Sequence, residues 1–167
     1  AARVRAGAAT PTPGDWHTGP MSTAPADLDD TMSRLLAEAG TWAVVGLSDN
    51  PSRPAYEVSE FLAAHGKRIV PVHPKAAEGP LTVHGQTAYP TLADAAAAVG
   101  PIDVVDVFVR SELAGAVADE AIAVGAGAVW FQLGVIDEAA ADRVRAAGLD
   151  MVMDRCPKRE WPRLGPR

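Results

Sequence analysis

Five short runs of this 167-residue chain carry side chains suited to gripping an anionic ligand. In the first, Gly46, Ser48, Asn50, Arg53 and Pro54 follow the apolar stretch Trp42 to Leu47. A glycine there lets a backbone approach a pyrophosphate. Ser48 and Asn50 supply neutral hydrogen-bonding groups, Arg53 a guanidinium, and a helix opening at Pro54 free N–H groups with the positive end of its dipole. An ordinary strand-to-helix turn is the simpler explanation of a lone glycine, but its place after the first strand favours the anion site. The second run, Val72-His73-Pro74-Lys75, offers an imidazole and an ammonium where NAD-binding folds carry an acid for ribose hydroxyls. Such groups suit a phosphorylated ribose, as in NADP or coenzyme A. The third run contains Phe108 and Arg110, the fourth Gln132 and Gly134, and the fifth Cys156 and Lys158. The first run is neither G-x-G-x-x-G nor a P-loop, which disfavours an ordinary dinucleotide or triphosphate site.

The elements that position these runs follow from apolar periodicity. Short apolar stretches at Trp42–Leu47, Ile69–Val72, Val104–Val109, Ala128–Leu133 and Leu149–Met153 read as strands. Between them lie helical patterns: Val58, Phe61, Leu62 and His65 closed by Gly66; an alanine-rich segment with Thr91 and Asp94 as a capping pair; Leu113, Val117, Ala121 and Val124; and a helix capped by Asp137 and ended by Gly148. A leading helix carries Met32, Leu35, Leu36 and Ala39, with Asp30 or Thr31 as cap and Gly40 as stop. This alternation predicts a Rossmann-like, doubly wound parallel five-stranded sheet with helices on both faces. The expected strand order is 3-2-1-4-5, with a ligand crevice between the first and fourth strands at their carboxyl ends.

Residues 1–27, rich in Ala, Gly, Pro and Thr, are expected to form a mobile extension, with Met21 a candidate start, and residues 28–167 a single domain. A net charge of -6 opposes general binding to nucleic acid or an anionic membrane. Arg155, Lys158, Arg159, Arg163 and Arg167 against Asp154 and Glu160 nevertheless leave residues 151–167 at +3, a basic tail that suggests a nearby anion. A single cysteine and the lack of a long apolar run point to a cytoplasmic protein. Neither a Ser-His-Asp order nor metal-ligand spacing stands out among the four histidines. Asp103, Asp106, Trp42 and Trp130 read as structural.

Taken together, Val45-Gly-Leu-Ser-Asp-Asn-Pro-Ser-Arg-Pro54, Val70-Pro-Val-His-Pro74, Val105-Asp-Val-Phe108, Val129-Trp-Phe-Gln-Leu-Gly134 and Met153-Asp-Arg-Cys-Pro-Lys158 resemble the small CoA-binding proteins of the YccU-like family, related to the CoA-binding domain of succinyl-CoA synthetase. The resemblance spans about Thr41 to Leu164. It implies CoA or acyl-CoA, with its pyrophosphate at the turn matched by Gly46, Ser48, Asn50, Arg53 and Pro54 and its adenosine end near Val72 and Pro74. This chain has His73 where the family usually has asparagine, and Val109 where it often has a basic residue, leaving Arg110 as the candidate. Cations expected to meet the phosphates are Arg53, His73, Lys75 and Lys158. Cys156, in a basic Arg-Cys-Pro-Lys context, is a candidate for a mixed disulfide with CoA, against the plainer role of a buried thiol. The phosphohistidine motif of ligase relatives, Gly-His-Ala-Gly, does not occur. The leading expectation is therefore a non-catalytic carrier, sensor or regulatory module for a small-molecule nucleotide ligand. An NADP-linked oxidoreductase and a partner-dependent acyl-CoA ligase subunit are the alternatives, and no protein partner is specified.

Overall fold

The computed structural model describes residues 25–167, so most of the expected extension, including Met21, lies outside the described residues. The elements run α1 (Pro25–Glu38), β1 (Thr41–Val45), α2 (Pro54–Ala64), β2 (Arg68–Val72), a 3-10 turn (Pro74–Ala77), a small hairpin of β3 (Thr82–Val83) and β4 (Gln86–Thr87), α3 (Leu92–Val99), β5 (Val104–Val107), α4 (Ser111–Ala123), β6 (Ala128–Phe131), α5 (Glu138–Ala146), β7 (Asp150–Val152) and α6 (Pro157–Leu164). The leading helix starts at Pro25, upstream of the expected caps Asp30 and Thr31. Two capping expectations hold in detail: Thr91 Oγ1 accepts from the Asp94 N–H at 3.1 Å, and Asp137 Oδ1 from the Ala140 N–H at 2.9 Å.

The main sheet is parallel, in the order β2-β1-β5-β6-β7. This confirms a Rossmann-like α/β fold but corrects the expected order, because the Val104–Val107 strand lies beside β1 rather than outside β2. Pro71 supplies the physical reason. On the outer edge of β2 the Pro71 carbonyl accepts from the Tyr89 N–H at 3.0 Å, and the His73 N–H reaches the Tyr89 carbonyl at 3.0 Å. Proline lacks the donor needed to continue that ladder, and only one parallel bridge, Val72 to Tyr89, forms there. The chain then crosses to the opposite side of β1. Strand order consequently reverses between β1 and β5, moving the crevice from its expected place.

Both sheet faces are buried, so the strands are apolar at nearly every position. Val45, Val70, Val105, Val129 and Phe131 pack beneath α3, α4 and α5, whose Ala95, Ala114, Ala118, Ala121, Ala140 and Ala141 keep the helices close to the sheet. The other face sets Trp42, Val44, Ile69, Val104, Trp130 and Val152 against α1, α2 and α6. Trp42 and Trp130 are fully buried, their ring centroids 5.7 Å apart, and their indole N–H groups donate to the carbonyls of Ala39 and Arg155. They are core anchors. Asp103 is structural as well: its Oδ2 accepts from the N–H groups of Gly40 and Thr41 at 3.0 and 2.8 Å, fixing the start of β1.

The basic tail folds as α6, entered through Pro157 at its first turn. Arg163 holds Asp29 of α1 at 2.6 and 3.0 Å and Glu160 at 2.9 Å, while Trp161 meets the Phe61 ring edge-on at 5.6 Å. Part of the tail's positive charge thus secures α6 to the body. Among the described residues, no helix is long and apolar enough to cross a membrane.

Candidate functional site

At the carboxyl ends of β1 and β5 the structure opens a cleft of about 950 Å³. Its first wall is the turn from β1 to α2. Gly46, at φ +96, passes so close to Phe108 that an added Cβ would lie 3.3 Å from that residue's carbonyl carbon, oxygen and Cβ. A side chain would be strained by the backbone angle and crowded by this neighbour, so glycine is required. Ser48 lies buried at the base of the turn and accepts from the Asn50 N–H at 3.3 Å. Asn50 itself organises the loop: its Oδ1 accepts from the N–H and hydroxyl of Ser52 at 3.0 and 2.7 Å. No side chain caps α2, whose Arg53, Pro54 and Ala55 line the cleft. The first turn of the helix therefore presents backbone donors and a positive dipole end to the space.

Of the residues singled out in the sequence, Gly46, Ser48, Arg53, Pro54, His73, Phe108, Arg110, Gln132, Cys156 and Lys158 line this cleft. Asn50, Val72, Pro74, Lys75 and Gly134 are outside its lining. Val72 is a core residue of β2, and Pro74 opens the following turn. Gly134, at φ +78, bends the chain after β6, where its N–H meets Asp154 Oδ1 at 2.8 Å and its carbonyl accepts from Ser111 Oγ at 3.2 Å. Lys75 lies 3.3 Å from Asp49 in an exposed pair.

Burial first, and Lys75 next, hold the pKa of His73 below the ordinary histidine value, which disfavours the cation expected at this position. Its Nδ1 accepts from the Lys75 N–H at 3.0 Å, capping the 3-10 turn as an asparagine oxygen would and leaving Nε2 to carry the proton.

The positive charge in the cleft comes from other elements. Arg53, Arg110 and Arg159 line it with no carboxylate partner among the described residues, while Lys158 is paired with Glu57. Arg159 was not legible as a site residue because α6 was not. On the opposite wall, Val109, Leu113, Leu133 and Val135 provide apolar surface, with Leu113 48% and Leu133 47% exposed. Their signal in the sequence is apolar character at a strand exit or helix start; Val135 and Val109 also join the core beneath, while Leu113 and Leu133 stand clear of it.

Beneath the floor, Asp106 is completely buried between the β1 and β6 strands. Its Oδ1 accepts from Gln132 Nε2 at 2.8 Å, while Oδ2 has no hydrogen-bond partner. Burial pushes its pKa up to about 7, against the opposing pull of the Gln132 bond. A Ser59–His84 contact of 2.9 Å lies on the other side of α2, where Ser59 is fully buried and His84 packs on Tyr56; it fastens the β3–β4 hairpin. Among the described residues there is no group of three or more His, Cys, Asp or Glu that could hold a metal ion.

A glycine turn, an uncapped helix start and unpaired guanidinium groups at the reversal point of a parallel sheet define a Rossmann-like domain with an anion-receptive cleft. The chain belongs to the CoA binding domain family, whose family model matches residues 40–162. The uncharacterized protein YneT of Bacillus subtilis is 33% identical over 127 residues, covering 76% of this chain and 89% of that protein. A solved hypothetical protein from Pyrococcus horikoshii is 34% identical with a TM-score of 0.75, covering 89% of this chain and 97% of the other. More distantly, a dinucleotide-forming acetyl-coenzyme A synthetase of Ca. Korarchaeum cryptofilum shares the fold over 74% of this chain and 28% of that enzyme, at 20% identity and a TM-score of 0.60.

Proposed function

We propose that this protein binds coenzyme A or an acyl-CoA in the β1–β5 cleft and serves as a non-catalytic carrier, sensor or regulatory module. The observation that carries the reading is the meeting of Gly46 and the uncapped α2 start with Arg53, Arg110 and Arg159. A diphosphate placed against α2 gains backbone donors, a favourable dipole and guanidinium forks at once. The apolar wall of Val109, Leu113, Leu133 and Val135 suits the less polar arm of the same ligand.

His73 and Lys75 suit the phosphorylated ribose of NADP and of CoA alike, so the lowered pKa of His73 and the place of Lys75 outside the cleft do not separate the two ligands. A ligase-subunit role is supported only by a distant fold likeness, and the chain lacks the phosphohistidine motif. A thermal-shift comparison of CoA, acetyl-CoA, NADP and NAD tests the proposal, because a ligand of the folded state raises apparent stability in proportion to RT ln(1 + [L]/Kd). CoA or acetyl-CoA should raise Tm while NAD and NADP leave it unchanged. A rise with NADP and none with either CoA form would overturn it.

A further inference from the structure

We propose that Asp106 is a positioning residue that sets the hydrogen-bonding polarity of the cleft floor: its buried carboxylate holds the Gln132 amide with the N–H groups inward and the oxygen toward the cleft, where that oxygen accepts from an amide N–H on the thiol arm of a CoA-type ligand. The ligand contact rests on the CoA reading of the cleft. Val44, Asp106 and Trp130 lie side by side in the sheet, and Val44 and Trp130 belong to the core under α1, α2 and α6, so Asp106 points to that face. Gln132, next but one after Trp130, keeps to the same side and lines the cleft. Its Nε2 donates to Asp106 Oδ1 at 2.8 Å. The pair thus joins a wholly buried carboxyl to the ligand space.

A side-chain amide donates at one end and accepts at the other, whereas an ionised carboxylate only accepts. The Gln132 nitrogen must therefore face Asp106, and the oxygen is left to the cleft. That oxygen is not sealed in. Among the described residues the buried side-chain oxygen without a partner is Asp106 Oδ2, while Gln132 Oε1 opens on the space its residue lines. With a diphosphate at the α2 start, the cleft runs on past Phe108 to Gln132 and the apolar wall. The thiol arm of CoA carries amide N–H groups beyond the diphosphate, so an arm laid along this path meets an oriented acceptor. A site built to accept from an N–H discriminates against a ligand without one more sharply than an apolar wall does.

Protonation reverses this polarity. Burial raises the Asp106 pKa to about 7, and Oδ2 has no neighbour to take an added proton's hydrogen bond. A neutral acid satisfies its O–H by directing it at the Gln132 oxygen, which turns the amide N–H groups toward the cleft. The folded value is the raised one, so the carboxylate and its outward-facing acceptor prevail above about pH 7 and are lost as pH falls through it. No charged group on the surrounding elements shares in that shift. Helix α1 ties Asp29 and Arg34 to Arg163 and Asp150, while Arg53 and Glu57 at α2, Arg110 before α4, and Cys156, Lys158 and Arg159 at α6 line the cleft above. The control is confined to the one carboxyl and the amide it holds.

Calorimetry of CoA with the full chain and with Gln132→Met, at about pH 8 and about pH 6, tests this, because titrations of the ligand and of every shared group cancel in the ratio of affinities. Wild type should bind about fivefold to tenfold more tightly than the variant at the higher pH and within about twofold of it at the lower. The loss at the higher pH should be larger for CoA than for ADP, which has no thiol arm. Asp106→Asn, uncharged throughout, should keep one ratio to Gln132→Met at both values. A measurement on the ligand-free wild type needs no variant to fold: the Gln132 side-chain N–H signals should exchange with water slowly at the higher pH and faster at the lower, opposite to ordinary base-catalysed amide exchange. A CoA ratio unmoved by pH, or Gln132 exchange that follows the ordinary trend, would overturn the inference while leaving CoA binding intact. Absence of saturable CoA heat in wild type defeats the CoA reading and the ligand contact with it, and the ligand-free exchange then decides the Asp106 control alone.

Discussion

Asp106→Asn probes the polar group on which the cleft floor rests. Asp106 is fully buried, with a folded pKa of about 7 against 3.8 for the unperturbed group. Because the folded value is raised, the native state holds its proton more tightly between these values, and stability falls as pH rises through that window. The penalty is complete above pH 7. A shift of about 3 units corresponds to roughly 4 kcal/mol in full, of which about 2–3 kcal/mol accrues between pH 5 and pH 8. Asparagine preserves an oxygen for Gln132 and carries no charge, although its amide N–H groups replace the partnerless Oδ2 at a cost of about 1–3 kcal/mol. Urea unfolding of both proteins at pH 5 and pH 8 isolates this side chain, because the other titrating groups are shared. The wild type should lose about 2–3 kcal/mol relative to Asp106→Asn over that interval. Parallel stability profiles would refute the assignment of a near-neutral titration to this carboxyl.

Gly46→Ala should lower Tm and weaken CoA binding at least about tenfold in calorimetry, since φ +96 and Phe108 at 3.3 Å oppose a side chain there. Arg53→Ala and Arg110→Ala should each weaken CoA binding by about tenfold or more without changing the circular dichroism spectrum, and the loss should shrink at high salt. Lys75→Ala should leave CoA affinity within about twofold, because its pair with Asp49 is exposed and lies off the cleft. His73→Asn should retain the turn cap and unfold near the wild-type midpoint in urea, whereas His73→Ala should lose about 1 kcal/mol.

Local signals carried much of the fold. Gly46 and Pro54 marked the first turn, and Thr91 and Asp137 marked helix starts because each cap uses residues only three apart. Strand order was less accessible, since it depends on Pro71 limiting a ladder with Tyr89, a partner distant in sequence. The helical nature of the tail was hidden by its charges and by Pro162, and its docking relies on Asp29 and Phe61 from remote segments. That hidden helix is why Arg159, visible as part of the basic tail, does not stand out as a cleft residue. Spacing placed Lys75 near a strand end correctly, but the direction of its side chain follows from Asp49 across the turn. His73 was visible as a residue type, while its charge state depends on burial that becomes evident only in the folded chain.

The most direct measurement is an amide chemical-shift titration of the isotope-labelled protein with CoA. Saturable shifts should centre on Gly46, Ser52, Ala55, Phe108, Val109 and Cys156, all in the cleft lining, and spread little beyond them. No saturable change at millimolar CoA, or changes centred instead on Arg34, Asp103 and Gly127 at the opposite end of the sheet, would contradict the assignment of this cleft as the nucleotide site.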